Sequence, residues 1–179
     1  TIAHEYTHGV LHKILGMRLP YKSETGAIDE AYADIMAHLF DQNWTIGEAV
    51  FNEERDIIRY SNTPYKSICP ILYKVDPYWL TDPKNEDARV HRNSTVLSHA
   101  AYQMYKNGID YELLSKLWYI SMSCCGYNAD STFLDVRFAV LEAAEKMKLS
   151  ATDIYIIRNA FDFVNIPLGT SNITRVGLN

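Results

Sequence analysis

The stretch His4-Glu5-Tyr6-Thr7-His8 decides how this chain is read. It lies in a run from Ile2 to Leu15 whose apolar residues Ala3, Val10 and Ile14, with Ile2 and Leu11 beside them, recur at helical spacing. Gly16, which tolerates positive φ, ends the run. Residues four apart on a helix stand one above the other, so both imidazoles can reach one ion. Neutral imidazole suits Zn2+ in a tetrahedral site. Glu5 lies beside the two histidines, close enough to take a proton from a metal-bound water. The competing reading is a surface helix with two solvated histidines.

The next helical run removes most of that ambiguity. It extends from Gly26 to Phe40, with Thr25 as the expected N-cap and Ile28, Ala31, Ile35 and Leu39 as the buried face. Glu30 and Asp34 again stand four apart and flank the buried Ala31. A catalytic zinc site takes three protein ligands and keeps a fourth position open, and Glu30 can supply the third. Asp34 can then accept a hydrogen bond from a ligand imidazole and set its tautomer.

The remaining sequence supports a single helical unit. With 179 residues, 47% apolar and 22% charged, the chain has an ordinary globular balance and enough length for a core. The net charge of −5 weighs against a nucleic-acid partner, and no apolar run approaches the ~20 residues of a membrane span. Four of the six prolines fall between Asn43 and Ala88, which reads as loops with short helical turns. Further helices are expected over Ser94–Asn107, over Asp110–Ser123 with Asp110 as cap, over Asp130–Lys148, and from a Ser150 cap to Val164. Cys69, Cys124 and Cys125 are an odd count with an adjacent pair, which is no disulfide framework, although Cys69 could bridge either neighbour. The abrupt start at Thr1, just before the motif, leads to the expectation that an N-terminal part of the natural protein lies outside this sequence, with any targeting segment.

Three segments carry a family resemblance: His4 to His8, Glu24 to Ala31, and Val90-His91-Arg92-Asn93-Ser94. From Thr1 to about Ile166 the chain resembles the C-terminal, mostly helical domain of the thermolysin-like neutral metallopeptidases. The resemblance implies a mainly α fold of about six helices with an irregular, loop-rich middle. It implies a domain over residues 1–166 and a C-terminal tail over 167–179. It makes His4, His8 and Glu30 the zinc ligands, Glu5 the general base and Asp34 the carboxylate behind a ligand. It makes His91 and Tyr21 the groups that stabilise the oxyanion, and Arg59 the arginine that binds a substrate carbonyl. Glu86, or Asp87 in its place, would orient His91. Ile46, Val50 and Ile58 would line the pocket for an apolar residue after the cleaved bond. Zinc, a protonated His91 and the Tyr21 hydroxyl suit the negative charge that amide hydrolysis builds on the carbonyl oxygen.

The implied activity is endoproteolysis on the amino side of bulky apolar residues, with a polypeptide as substrate and an extracellular setting. The chain also departs from the family. The loop around Met17 to Pro20 is longer by about two residues, and Asp29 stands for the usual asparagine. Of the family's Ca2+ site only Asp41, Asn43 and Glu48 remain as oxygen donors, which leaves one weak calcium site or none. The family's β-rich N-terminal domain, a partner that supplies one wall of the cleft, is absent, so the fragment alone is expected to be a poor peptidase. Two other readings make different demands on the sequence. A zinc aminopeptidase calls for an acidic group that reads a free amino terminus, which the sequence does not show. A helical binding module with a vestigial zinc site calls for loss of Glu5, His91 or Tyr21, and all three are present.

Overall fold

The computed structural model describes residues 2–46, 59–124 and 126–169. Among them are seven α-helices: α1 Ile2–Leu15, α2 Ser23–Asp41, α3 Glu86–Asn93, α4 Thr95–Lys106, α5 Tyr111–Cys124, α6 Phe133–Lys146 and α7 Ala151–Phe163. Two short antiparallel strands, β1 (Thr45–Ile46) and β2 (Arg59–Tyr60), pair Thr45 with Tyr60 and Ile46 with Arg59. The fold is mainly α, as expected.

α2 is the axis of the domain. Every residue from Thr25 to Ile35 is buried, because α1, α3, α4 and α5 all pack on it. A helix apolar on one stripe only would leave its other face wet. Here the remaining face of α2 is polar and also covered, which concentrates Asp29, Glu30 and Asp34 in the interior. Away from that face the core is aliphatic and aromatic, with Ile28, Ile35, Leu97, Trp118, Phe133 and Phe161 all fully buried.

Helix boundaries show where local signals sufficed. α1 ends at Gly16, whose φ is +69°. Asp110 Oδ1 accepts from Leu113 N at 2.8 Å at the start of α5. Ser150 and Asp153 form a capping box on α7, and Thr132 and Asp135 form one on α6, which therefore starts at Phe133 rather than Asp130. α1 differs from expectation in its inward face. His4, Thr7 and Leu11 are buried, while Ile2 is 91% exposed.

Two boundaries were decided by tertiary contacts. Thr25 is not the N-cap of α2. The helix begins at Ser23, whose backbone N–H donates to Glu86 Oε2 at 2.9 Å, and the Thr25 hydroxyl turns back to the carbonyls of Pro20 and Lys22. A side chain 63 residues away thus satisfies the helix terminus. The second case is α3, which lies at the edge of the segment read as loops. With Ala88 and Val90 as its only apolar residues it carries no stripe to signal a helix.

The irregular stretch between β2 and α3 is held by polar anchors. Asp76 accepts from the backbone N–H groups of Ile71, Leu72 and Tyr78 and from the Tyr65 hydroxyl. Asn93 makes both bonds of a backbone mimic with Leu80. His38 joins Asn43 O and Ser61 Oγ, and His99 reaches Ser61 O. Cys69 and Cys124 are each buried, and no disulfide joins them. Cys125 and the tail from residue 170 onward lie outside the described residues.

Burial would raise the Asp76 pKa, but its three N–H donors and the Tyr65 hydroxyl outweigh that and lower it. Its stabilising effect is therefore present above the unfolded value near about 4 and is lost as pH falls through the lower folded value. Asp76→Ala should cost about 1–3 kcal/mol of stability at neutral pH. In unfolding measured from pH 7 to 2, the gap between wild type and variant should close at the acid end.

Candidate metal centre

α1 and α2 run past one another so that three histidines face three carboxylates. Along α1 these are His4, His8 and His12; along α2, in the opposite order, they are Asp34, Glu30 and Asp29. His4 Nδ1 lies 2.9 Å from Asp34 Oδ1. His8 Nδ1 lies 2.7 Å from Asp29 Oδ1. With a proton on each Nδ1, that of His8 donated to Asp29 and that of His4 beside Asp34, both Nε2 lone pairs are left for one point. The two Nε2 atoms are 3.2 Å apart. Glu30 completes the group, with Oε2 3.5 Å from His4 Nε2 and Oε1 3.7 Å from His8 Nε2.

This donor set fits a metal ion. Zinc bonds of about 2.0–2.1 Å at tetrahedral angles place neighbouring ligand atoms about 3.3 Å apart. The Nε2–Nε2 separation of 3.2 Å, and the 3.5 and 3.7 Å from those nitrogens to the two Glu30 oxygens, lie near that value. Three carboxylates at most 5% exposed stand on one helix face. Such a concentration of buried negative charge is costly unless donors and a cation offset it.

Around this point stand the other groups that the sequence singled out. Glu5, one residue after His4, is exposed and shares an open cleft with His8, Arg18, Tyr21 and Glu30. His91 enters from α3, its Nε2 3.3 Å from Glu30 Oε2 and its Nδ1 2.7 Å from the Asp87 carbonyl oxygen. The Tyr21 hydroxyl lies 3.2 Å from His91 Nδ1, 3.3 Å from its Nε2 and 3.4 Å from Asp87 Oδ1. Burial, then the charges of Glu30 and Asp87, raise the Tyr21 pKa, so the hydroxyl stays a donor.

His91 and Tyr21 are delivered here by a close helix crossing. A Cβ on Gly26 would come 2.6 Å from Val90 Cγ1 and 3.1 Å from the Tyr21 carbonyl carbon. The bare backbone therefore lets α3 settle against the start of α2. Glu86 does not orient His91. It is turned to Arg89 Nη1 and Ser23 N, both at 2.9 Å, where it ties α3 to α2. The carboxylate beside His91 is that of Asp87, its Oδ1 3.5 Å from His91 Nδ1.

Of the expected substrate groups, Ile46 is buried at the end of β1 and Arg59 lies in β2. Val50 and Ile58 lie outside the described residues, as does Glu48 of the calcium donors. Among the described residues two groups could hold a metal, His4 with His8 and Glu30, and His8 with His12 and Asp29; neither draws on Asp41 or Asn43. The bridging of His8 and His12 by Asp29 was missed in the sequence. Its signal was there, since histidines at 4, 8 and 12 repeat on one helix face. Burial would lower the His8 pKa, but the Asp29 bond and the nearby carboxylates raise it. For Asp29, burial would raise the pKa, and the two histidines lower it.

The model of the thermolysin metallopeptidase, alpha-helical domain, matches residues 17–166, and the chain belongs to this family. It is 27% identical to the bacillolysin of Bacillus caldolyticus and to the thermolysin of Alicyclobacillus acidocaldarius subsp. acidocaldarius, each over 92% of this chain and 32% of the relative. It is 30% identical to neutral protease B of Bacillus subtilis (strain 168), over 82% of this chain and 28% of the relative. The chain thus spans about a third of the length of these relatives.

Asp34→Asn should weaken zinc binding by about 10–100-fold, because the partner that sets the His4 tautomer is lost. A chelator-competition titration would measure it, and unfolding of the metal-free forms would show whether the fold is kept.

Proposed function

We propose that the chain is the helical half of a zinc endopeptidase that cleaves on the amino side of bulky apolar residues. The observation that carries this is the convergence of His4 Nε2, His8 Nε2 and the Glu30 carboxylate on one point, with Asp34 and Asp29 behind the two imidazoles. His4, His8 and Glu30 would hold zinc, which supplies Lewis acidity toward a water and a carbonyl oxygen.

The chain's own residues would do the rest. Glu5, at the open cleft, takes the proton of the attacking water and returns it to the leaving amine. His91 and the Tyr21 hydroxyl, which already touch, donate to the carbonyl oxygen as it gains charge. Arg59 binds a substrate carbonyl, and the pocket around Ile46, Val50 and Ile58 takes the apolar side chain; both assignments rest on the family resemblance. So does an extracellular setting. No helix among the described residues is long and apolar enough to cross a membrane.

A β-rich N-terminal part of the longer protein would close the cleft from the side of α1. The outer face of that helix leaves Ile2 91% and Tyr6 74% exposed, which supports a covering partner there. Without that wall the fragment holds a substrate poorly in register.

Elemental analysis of the purified chain should find about one zinc, lost in His8→Ala. In the full-length protein, Glu5→Gln should keep its zinc and lose peptide hydrolysis by several orders of magnitude in kcat. Retained turnover in that variant would remove Glu5 from the role of base.

A further inference from the structure

α1 carries a third histidine one turn beyond the pair that faces Glu30. His12 Nε2 lies 2.7 Å from Asp29 Oδ2, while Asp29 Oδ1 lies 2.7 Å from His8 Nδ1. One buried carboxylate thus joins two imidazoles, whose rings lie at 29° to each other with centroids 6.2 Å apart. We propose that His12 is a positioning residue for the metal centre. It anchors Asp29, so that Asp29 holds the proton on His8 Nδ1 and leaves His8 Nε2 for the metal. The proposal rests on the reading of His8 as a ligand.

The need for such an anchor follows from the chemistry of the carboxylate. A carboxylate bonded through one oxygen can still turn about its terminal torsion, which is broad and weakly restrained. Bonds at both oxygens fix its plane. Neighbouring residues on a helix point about 100° apart, so Asp29 leaves α2 at an angle to Glu30 and meets α1 between His8 and His12. His12 then supplies the second bond from the same helix as the ligand it supports. Orientation of a ligand imidazole by the partner of its second nitrogen is a strong determinant of metal affinity. Here that partner is itself oriented.

His8, His12 and Asp29 also form the second group of atoms that could hold an ion. Two features favour the hydrogen-bonded arrangement. Both N···O distances are 2.7 Å, the length of a charge-assisted hydrogen bond, whereas ligand atoms that share a zinc lie about 3.3 Å apart. An ion there would also take His8 at Nδ1 while Nε2 serves the first site, which requires a fully deprotonated imidazole.

The test compares wild type with His12→Ala, His12→Gln and His8→Ala in the full-length protein. Zinc affinity is read by chelator competition, the His8 tautomer by 15N shifts of the ring, and stability by thermal unfolding of the metal-free forms. His12→Ala should weaken zinc by about tenfold and scramble the His8 tautomer. His12→Gln, whose amide can donate to Asp29, should restore most of both. A lower unfolding temperature with affinity and tautomer unchanged would overturn the proposal. So would a second equivalent of zinc at saturation that disappears in His12→Ala. Zinc retained in His8→Ala would instead sink the ligand reading on which the proposal depends.

Discussion

The face-to-face contact of α1 and α2 sets the terms for everything else. α2 runs through the middle of the domain, and its polar face is almost wholly covered, meeting solvent only at the open cleft. Asp29, Glu30 and Asp34 on that face would be prohibitive neighbours if nothing opposed them. α1 opposes them with His4, His8 and His12, spaced so that each imidazole meets a carboxylate and two of them keep a nitrogen for an ion. The same contact therefore closes the core and brings together the residues that could hold a metal ion. The packing of α2 against α4 and α5 holds the carboxylates in the interior.

The second half of the site depends on how near α3 can come. Gly26 removes the one side chain that would stand between α2 and Val90. Glu86 and Arg89 then bind the first residue of α2, Ser23, through its N–H and its hydroxyl. With α3 held at that distance, His91 reaches Glu30 and Tyr21 reaches His91. A residue expected to act on the chemistry, Glu86, instead sets the geometry that brings the chemistry together.

The irregular middle is ordered by buried polar side chains rather than by ladders. Asp76 and Asn93 each satisfy backbone groups that a helix or sheet would have paired internally. Glu24 does the same across elements, accepting from the Tyr73 hydroxyl and from Phe133 N at the start of α6. Asp76 gathers donors from within its own stretch, Asn93 reaches back to Leu80, and Glu24 joins segments far apart in the chain.

What the sequence by itself determined is local. The spacing of His4 and His8, the pair Glu30 and Asp34, the end of α1 at Gly16 and the caps Asp110 and Ser150 all follow from helix geometry within a few residues. Those signals suffice for a helical domain and for the metal-ligand candidates, and the family resemblance extends them to His91 and Tyr21. Tertiary structure decided the rest. It made Glu86 the cap of α2, because a carboxylate's partner is whichever donor the packing brings near, and it left the place beside His91 to Asp87, one helical turn away in sequence. It also turned His12 and Asp29 into a pair. Seventeen residues separate them along the chain, and only the antiparallel passage of two helices makes them adjacent.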